Sequence, residues 1–285
     1  MSTVIIAVIW ILMSPQAQSP ERASSAAELQ AAPKSVKKAT LNDLASLRSS
    51  PSATDAVDMI SVGLADADPD VRLSAIYAVA GRASVDRFKK FQSSSRVTMV
   101  SGSEKLLLRK LRPRVLALVG DSNERVRQGA VIALVNLEFE GGQDHNDILL
   151  KEDAVRTLLQ QFQKETIAKV RVEIVKTFTL TSLKSPRRDD ILLAAIADSD
   201  PDVVQFGVMG LARSTPPAAL PKLIELLNNP SRIVRLQLGP AFAAYGRAAR
   251  PYLDELVRVG ANDSDADVRN SLDAAILKIR SLSLE

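Results

Sequence analysis

From about residue 52 onward the chain repeats one pattern of apolar and polar positions. An apolar stripe of helical period comes first, as in residues 57–64, and a short turn rich in Asp or Asn follows it. A second apolar stripe then starts at a valine, with small side chains four and seven residues later, as at Val71 and Ala75. This order predicts two short helices joined by a tight turn, with small side chains where neighbouring helices meet.

Six valines mark the starts of the predicted second helices: Val71, Val126, Val170, Val203, Val234 and Val268. The last three spacings are 33, 31 and 34 residues, whereas the first two, 55 and 44, contain insertions. A period in the thirties is typical of stacked helical hairpins. We therefore expect an all-α fold, a right-handed α-solenoid of about six hairpins over residues 51–285.

The turns carry the residues that begin a helix. Asp68, Asp200 and Asp265 are placed to accept hydrogen bonds from the free N–H groups of the second helix. Pro69 and Pro201 follow at the first helical position, where no N–H is needed.

The alternating aspartates of these turns also resemble the first half of a calcium loop, as in Asp66, Asp68 and Asp70. A calcium loop requires glycine at its sixth position, and Val71 stands there. Capping is the favoured interpretation, and no metal site is predicted.

An arginine follows most of the valines: Arg72, Arg127, Arg171, Arg235 and Arg269. The spacing allows each to form an ion pair with a turn aspartate, a structural role that we favour over a ligand site. Val204 stands where this series would place another arginine.

These phrases resemble HEAT repeats, in the variant common in bacterial proteins and in the phycobilisome-lyase-like group, over roughly residues 52–280. The resemblance implies a solenoid whose second helices line a concave face. It also implies that each repeat arginine forms an ion pair with the turn aspartate of the preceding repeat. Three departures stand out: Val204, a third unit without the Asp-Pro turn, and Gly239-Pro240, where a kink is expected.

The outward side of the second helices is the predicted partner-binding surface. Positions two and six after each valine point away from the small-residue stripe and are partly apolar. The predicted residues are Leu73, Tyr77, Gln128, Ile132, Val172, Lys176, Gln205, Met209 and Leu236. We expect a protein-binding scaffold that holds a protein or peptide partner along this concave face; burial of these side chains by neighbouring hairpins is the alternative.

A basic insertion supplies a second candidate surface. Residues 82–114 contain ten basic and two acidic side chains, a net +8, which leaves the rest of the chain at −4. The predicted patch comprises Arg82, Arg87, Lys89, Lys90, Arg109, Lys110, Arg112 and Arg114. Nucleic acid or another anionic partner is the alternative that this patch favours, and a solvated loop is the other.

Composition narrows the chemistry. The chain has no cysteine, so thiolate metal sites and thiol nucleophiles are excluded. Its one histidine, His145, lies beside Glu140, Asp144 and Asp147 in the sequence. Neither a phosphate-binding glycine loop nor a nucleophile elbow occurs. We therefore predict no enzymatic activity, no cofactor and no small-molecule substrate, with phycobilin-lyase-like activity as the enzymatic alternative that the family resemblance leaves open.

The first residues predict export. Residues 4–13 form an unbroken apolar run that is too short to span a bilayer and has the length of a signal-peptide core. Small residues follow where a peptidase could cut, and an uncleaved anchor or a buried first helix is the alternative. We expect a signal peptide at residues 1–19, a linker and N-terminal cap at residues 20–50, and a periplasmic or secreted protein.

Overall fold

The computed structural model describes residues 21–46, 51–88, 102–138, 150–180 and 186–282. All regular structure within these ranges is helical, which confirms the predicted all-α class. The chain divides into two compact units, residues 1–115 and residues 116–285. No helix within the described ranges is both long and apolar enough to cross a bilayer.

The first unit contains two successive helical hairpins and part of the basic insertion. Its helices are α1 (Ala26–Ala31), α2 (Lys34–Ala45), α3 (Ala53–Leu64), α4 (Pro69–Phe88) and α5 (Gly102–Arg109), and α6 (Arg112–Leu118) includes the boundary between the units. Helices α2 and α4, the second helices of the two hairpins, pack side by side.

Residues 26–45, within the segment predicted as a linker and N-terminal cap, form the hairpin α1–α2. Val36, Leu41 and Leu44 are buried on one side of α2. The lysine that follows Val36 also takes the role of the repeat arginine, since Lys37 Nζ lies 2.8 Å from the turn carboxylate of Asp66. This segment is therefore an additional repeat with a short first helix.

The second unit continues the same arrangement. Its helices are α7 (Glu124–Glu138), α8 (Glu152–Lys164), α9 (Ala168–Leu180), α10 (Pro186–Ala195), α11 (Pro201–Ser214), α12 (Leu220–Glu225), α13 (Arg232–Tyr245), α14 (Leu253–Asn262) and α15 (Ala266–Ser281). Short 3-10 turns occupy Pro217–Ala219, Leu226–Asn228 and Gly246–Tyr252.

The second helices of this unit, α7, α9, α11, α13 and α15, form one layer in which each packs on the next. Contacts between successive first helices are sparse by comparison. The valines that begin the second helices are buried, as are the small side chains that follow them. Burial of a valine or a larger apolar side chain stabilises the stack by about 1.5–3 kcal/mol, and burial of an alanine contributes less.

The predicted caps are confirmed where the geometry of the helix start is described. The side chain of Asp200 accepts from the N–H groups of Asp202 and Val203 at 2.9 and 3.3 Å. Asp265 caps α15 in the same way. Such a cap is worth about 1 kcal/mol.

Pro240 does not interrupt α13, which runs from Arg232 to Tyr245. A proline inside a helix supplies no N–H to the carbonyl four residues earlier, here that of Leu236. The hydroxyl of Ser271 on α15 donates to this carbonyl at 3.2 Å. The neighbouring Gly239 permits the approach, because a Cβ there would collide with the side chain and carbonyl of Ser271.

Several predicted features lie outside the described residues. These are the export segment 1–19, the loop around His145, and Lys89 and Lys90 of the basic patch.

Candidate functional site

The repeat arginines hold the turns together. Arg171 on α9 donates Nη1 to the carbonyls of Glu165 and Thr166, in the turn that precedes its own helix, at 3.2 and 3.0 Å. Its Nε and Nη2 reach the carboxylate of Asp198, in the turn of the next repeat, at 2.7 and 2.9 Å. One guanidinium thus joins two consecutive turns.

The same arrangement recurs along the second unit. Arg127 binds Glu165 through two contacts of 2.7 Å, and Arg235 binds Asp263 at 2.7 and 3.2 Å. We call these pairs, with Arg171–Asp198, the arginine ladder.

The ladder corrects the predicted direction of pairing, since each arginine bonds to the acid of the following repeat rather than the preceding one. Helical side chains lean toward the N-terminus of their helix. An arginine in the first turn of a second helix therefore reaches the layer of turns, where the next turn stacks beside its own.

Hydrogen bonds lower the pKa of two ladder carboxylates, those of Glu165 and Asp263. Burial raises the pKa of Glu165, but hydrogen bonds from Arg127, the N–H of Ile167 and the amide of Gln161 outweigh it, so the pKa is lowered. The Arg235 guanidinium likewise holds the pKa of Asp263 below its usual value, against a smaller opposing effect of burial. Because these oxygens are already engaged, the geometry favours a structural role over calcium binding.

One rung lacks charge at both ends. Val204 replaces the arginine of its repeat and is buried. Asn229 stands where the following turn would supply the acid, and its side-chain oxygen accepts only the N–H of Ser231 among the described contacts. The two replacements leave neither a buried unpaired guanidinium nor a buried unpaired carboxylate.

The predicted binding residues divide by exposure. Tyr77, in the first unit, and Ile132, in the second, are 50% and 39% exposed. Leu73 and Val172 are only 4% and 9% exposed, so they are part of the core rather than of a groove. The remaining predicted residues are half-buried: Gln128, Lys176, Gln205, Met209 and Leu236.

Two residues that the sequence analysis did not select extend this surface. Ile233 is the second residue of α13 and is 40% exposed. Its position, one before the valine, holds a charged residue in the other five repeats marked by the predicted valines, namely Asp70, Arg125, Lys169, Asp202 and Asp267, and Ser35 in the first hairpin. At 100° per residue this position lies on the same side of the helix as positions two and six.

Phe206 on α11 is the second missed residue and is half-buried. The Nζ atom of Lys176 lies 5.0 Å from the centroid of its ring and 3.1 Å from the carboxylate of Glu173. We define the apolar face as the outward side chains of α11 and α13, namely Phe206, Met209, Ile233, Leu236 and Pro240.

One predicted residue of the basic patch is buried, and four others are exposed or half-buried. Arg82 is 4% exposed and donates Nη1 to the carbonyl of Leu44 at 2.9 Å, so it is a core residue and this part of the prediction is wrong. Arg114 is exposed and donates to the carbonyl of Ser61 at 2.8 Å. Lys110 is exposed, and Arg109 and Arg112 are half-buried. The side chain of Arg87 lies outside the described part.

An open cleft of about 410 Å³ lies on the turn side of the second unit. Its lining includes Asn229, Arg235, Arg258 and Asp263. Two of these form a ladder pair, and Arg258 pairs with Glu255, so the charges in this cleft are already matched.

Comparison with known proteins agrees with this architecture. A family described as HEAT repeats matches residues 155–243. The crystal structure of an engineered protein aligns with 90% of this chain and 67% of its own, at 17% identity and a TM-score of 0.53. The S. pombe condensin Cnd3–Cnd2 subcomplex aligns with 91% of this chain and 33% of its own, at 18% identity and a TM-score of 0.48.

No curated protein matches the sequence. The TM-score of the engineered protein supports the fold alone, and its low identity carries no function to this chain. The resemblance to HEAT-repeat proteins is nevertheless confirmed, because residues 155–243 match that family and the helical hairpins around them have its all-α solenoid fold.

Proposed function

We propose that this chain is a non-enzymatic scaffold that binds a protein or peptide segment on the second-helix layer of residues 116–285, with the apolar face as the principal contact. The observation that carries the proposal is the group of apolar side chains on α11 and α13. Among them, Ile233 stands where the other five repeats marked by the predicted valines place a charged residue.

This amount of apolar surface is unusual for the outward side of two helices. Scattered exposed apolar residues are ordinary, whereas a contiguous group on two packed helices favours an interaction site. Helices α11 and α13 are direct neighbours, so their outward residues form one surface. The ladder lies on the turn side and leaves this surface free of its charges.

The test is binding of displayed random peptides to the full chain, compared with an Ile233→Asp variant. Aspartate occupies the equivalent position in other repeats, at Asp202 and Asp267, so the fold should tolerate the change. We expect the enriched peptides to lose affinity by about tenfold or more, because a charge then stands at the apolar contact.

Val257→Asp is the matched control. Val257 is 38% exposed, close to the 40% of Ile233, but it lies on α14 in the other layer. Equal loss of binding in both variants, or none in either, would contradict the proposal.

Anionic binding through the basic patch is the second candidate. Its support is the exposed Lys110 with the neighbouring Arg109 and Arg112. Affinity for a DNA or heparin probe that falls by orders of magnitude between low and moderate salt would favour it. Export through residues 1–19 stays a prediction.

A further inference from the structure

The steps between neighbouring second helices of residues 116–285 differ at their turn ends. At the steps α7–α9, α9–α11 and α13–α15, a ladder arginine joins two turns through two hydrogen bonds to one carboxylate. At the step α11–α13, Val204 and Asn229 stand in these places. Among the described residues, no hydrogen bond or ion pair joins the turn before α11 to the turn before α13, so apolar packing holds these two turn ends together.

The opposite ends of α11 and α13 are fastened. Tyr245, the last residue of α13, donates its hydroxyl to the carbonyl of Pro216, two residues beyond the end of α11, at 3.0 Å. Tyr245 is 6% exposed, so water has little access to this hydrogen bond. The step is therefore pinned at one end and lacks a polar connection at the other.

The layer of first helices adds little restraint at this step. Helix α12 has only six residues, and the 3-10 turns Pro217–Ala219 and Leu226–Asn228 lie on either side of it. Contacts between α10 and α12 are sparse. The first-helix layer is therefore a weak substitute for the missing ladder pair.

A ladder pair and an apolar contact restrain motion differently. Two parallel hydrogen bonds from a guanidinium to a carboxylate fix the orientation of the two groups as well as their distance. Apolar attraction has no preferred direction. We infer that the step α11–α13 is a hinge within the solenoid, which opens at the turn ends and pivots near the contact of Tyr245 with Pro216 while both helices stay intact.

The hinge lies within the apolar face. Met209 is on α11 and Ile233 is on α13, so opening changes the distance between the two sides of the face. Ile233 lies at the turn end, where the motion is largest, whereas Pro240 lies nearer the pivot. Resting on the proposed function, a bound segment that contacts both helices would span the hinge and restrict its motion.

Spin labels can measure the motion because the chain has no cysteine, so introduced cysteines are the sole attachment points. The positions six residues before the valines are exposed in four consecutive repeats, at Lys164, Ala197, Asn228 and Asn262. Cysteine substitutions at 164 and 197, at 197 and 228, and at 228 and 262 report the steps α9–α11, α11–α13 and α13–α15. Electron paramagnetic resonance gives the distribution of distances between the two labels of each pair.

We expect the pair at 197 and 228 to have the broadest distribution, extended toward longer distances. The other two pairs are the matched controls, since a ladder arginine spans each of their steps. Three equally narrow distributions would refute the hinge.

Exchange of the ladder residues tests the cause. Val204→Arg with Asn229→Asp should narrow the distribution at 197 and 228, because the new pair would join the two turns. Arg171→Val with Asp198→Asn copies the uncharged pair into the preceding step and should broaden the distribution at 164 and 197. The second variant buries no new charge, so it decides the question if the first does not fold. Failure of this second variant to broaden that distribution would overturn the inference.

Bound peptides separate the hinge from the proposed function. A peptide whose affinity Ile233→Asp lowers should narrow the distribution at 197 and 228 and leave the other two unchanged. If such a peptide leaves that distribution broad, the link between hinge and face is refuted. If no peptide binds in this way while the distribution is broad, the scaffold function fails and the hinge stands. If such peptides bind and all three distributions are narrow without them, the scaffold function stands and the hinge is refuted.

Discussion

At the scale of single residues, Val204 and Asn229 are the two ends of one missing ion pair. Arginine and aspartate at the equivalent positions bind each other in the neighbouring steps, as in Arg171–Asp198 and Arg235–Asp263. A charge at one end without the other would be costly, because removal of one partner of a buried pair leaves the other charge uncompensated.

A double-mutant cycle tests this interpretation. Val204→Arg alone and Asn229→Asp alone should each lower the free energy of unfolding, whereas the double variant should recover part of the loss. We expect a favourable coupling of about 0.5–3 kcal/mol, measured by chemical denaturation. Additive effects of the two changes would show that the positions do not form a rung.

The ladder also makes stability depend on pH. In the unfolded chain, aspartate and glutamate have pKa values of about 3.9 and 4.3. The folded-state pKa values of Asp263 and Glu165 are lower. Their contribution to stability is therefore complete above the unfolded values and is lost as the pH falls through the folded ones.

Asp263→Asn should lower the free energy of unfolding at pH 7 by about 1–3 kcal/mol, because a charged hydrogen-bonded pair is lost. The variant should also lose less further stability than the unchanged protein as the pH falls below about 5. Denaturation curves across this range measure both effects. Asp254→Asn removes one exposed carboxylate on α14 that is not part of the ladder, and this control should lower the free energy of unfolding at pH 7 much less.

The sequence predicted which arginines would pair but not with which turn. Spacing along the chain places Arg171 near two turns and does not choose between them. The choice depends on how the side chain leans along its helix and how adjacent hairpins stack, and only three-dimensional geometry contains that information.

At the scale of helices, the contact between α13 and α15 depends on three small features that act together. Pro240 frees the carbonyl of Leu236, Ser271 supplies the hydroxyl that satisfies it, and Gly239 leaves room for Ser271. A buried carbonyl without a partner would cost about 1–3 kcal/mol.

Ser271→Ala should therefore destabilise the protein by about 1 kcal/mol, and less in a chain that also carries Pro240→Ala, since an alanine N–H can satisfy the Leu236 carbonyl. Thermal unfolding of the four proteins in this cycle measures the coupling. An equal loss on both backgrounds would contradict the role assigned to the hydroxyl.

Gly239→Ala should cost about 1–3 kcal/mol, because the added Cβ overlaps the backbone of Ser271. Gly120→Ala is the matched comparison, since the nearest atoms to a Cβ there lie at 3.7 and 4.0 Å. Unfolding midpoints that fall equally in the two variants would show that helix approach is not limiting at Gly239.

The starts of α11 and α15 were predictable because their caps, Asp200 and Asp265, accept hydrogen bonds from N–H groups only two and three residues later in the chain. The hairpin of α1 and α2 was not, because α1 has only six residues and buries a single leucine, Leu29. Local periodicity cannot reveal a helix whose stability comes from packing on other helices.

At the scale of the molecule, the repeated valine-led pattern was sufficient to predict the all-α repeat fold. It identified only part of the apolar face. Met209 and Leu236 follow from helical geometry, whereas Leu73 and Val172 have the same spacing and are buried. Exposure depends on the rotation of each helix against its neighbours, which differs between repeats.

Because Val204 and Asn229 are both uncharged, the removal of one repeat in this region differs from the removal of two. Excision of residues 198–228 would place Arg171 opposite Asn229, and excision of residues 229–262 would place Val204 opposite Asp263. Excision of residues 198–262 would instead bring Arg171 against Asp263, a matched pair. We expect the variant with the longer deletion to have the highest unfolding temperature of the three. Hairpins in this region could then be removed in pairs but not singly.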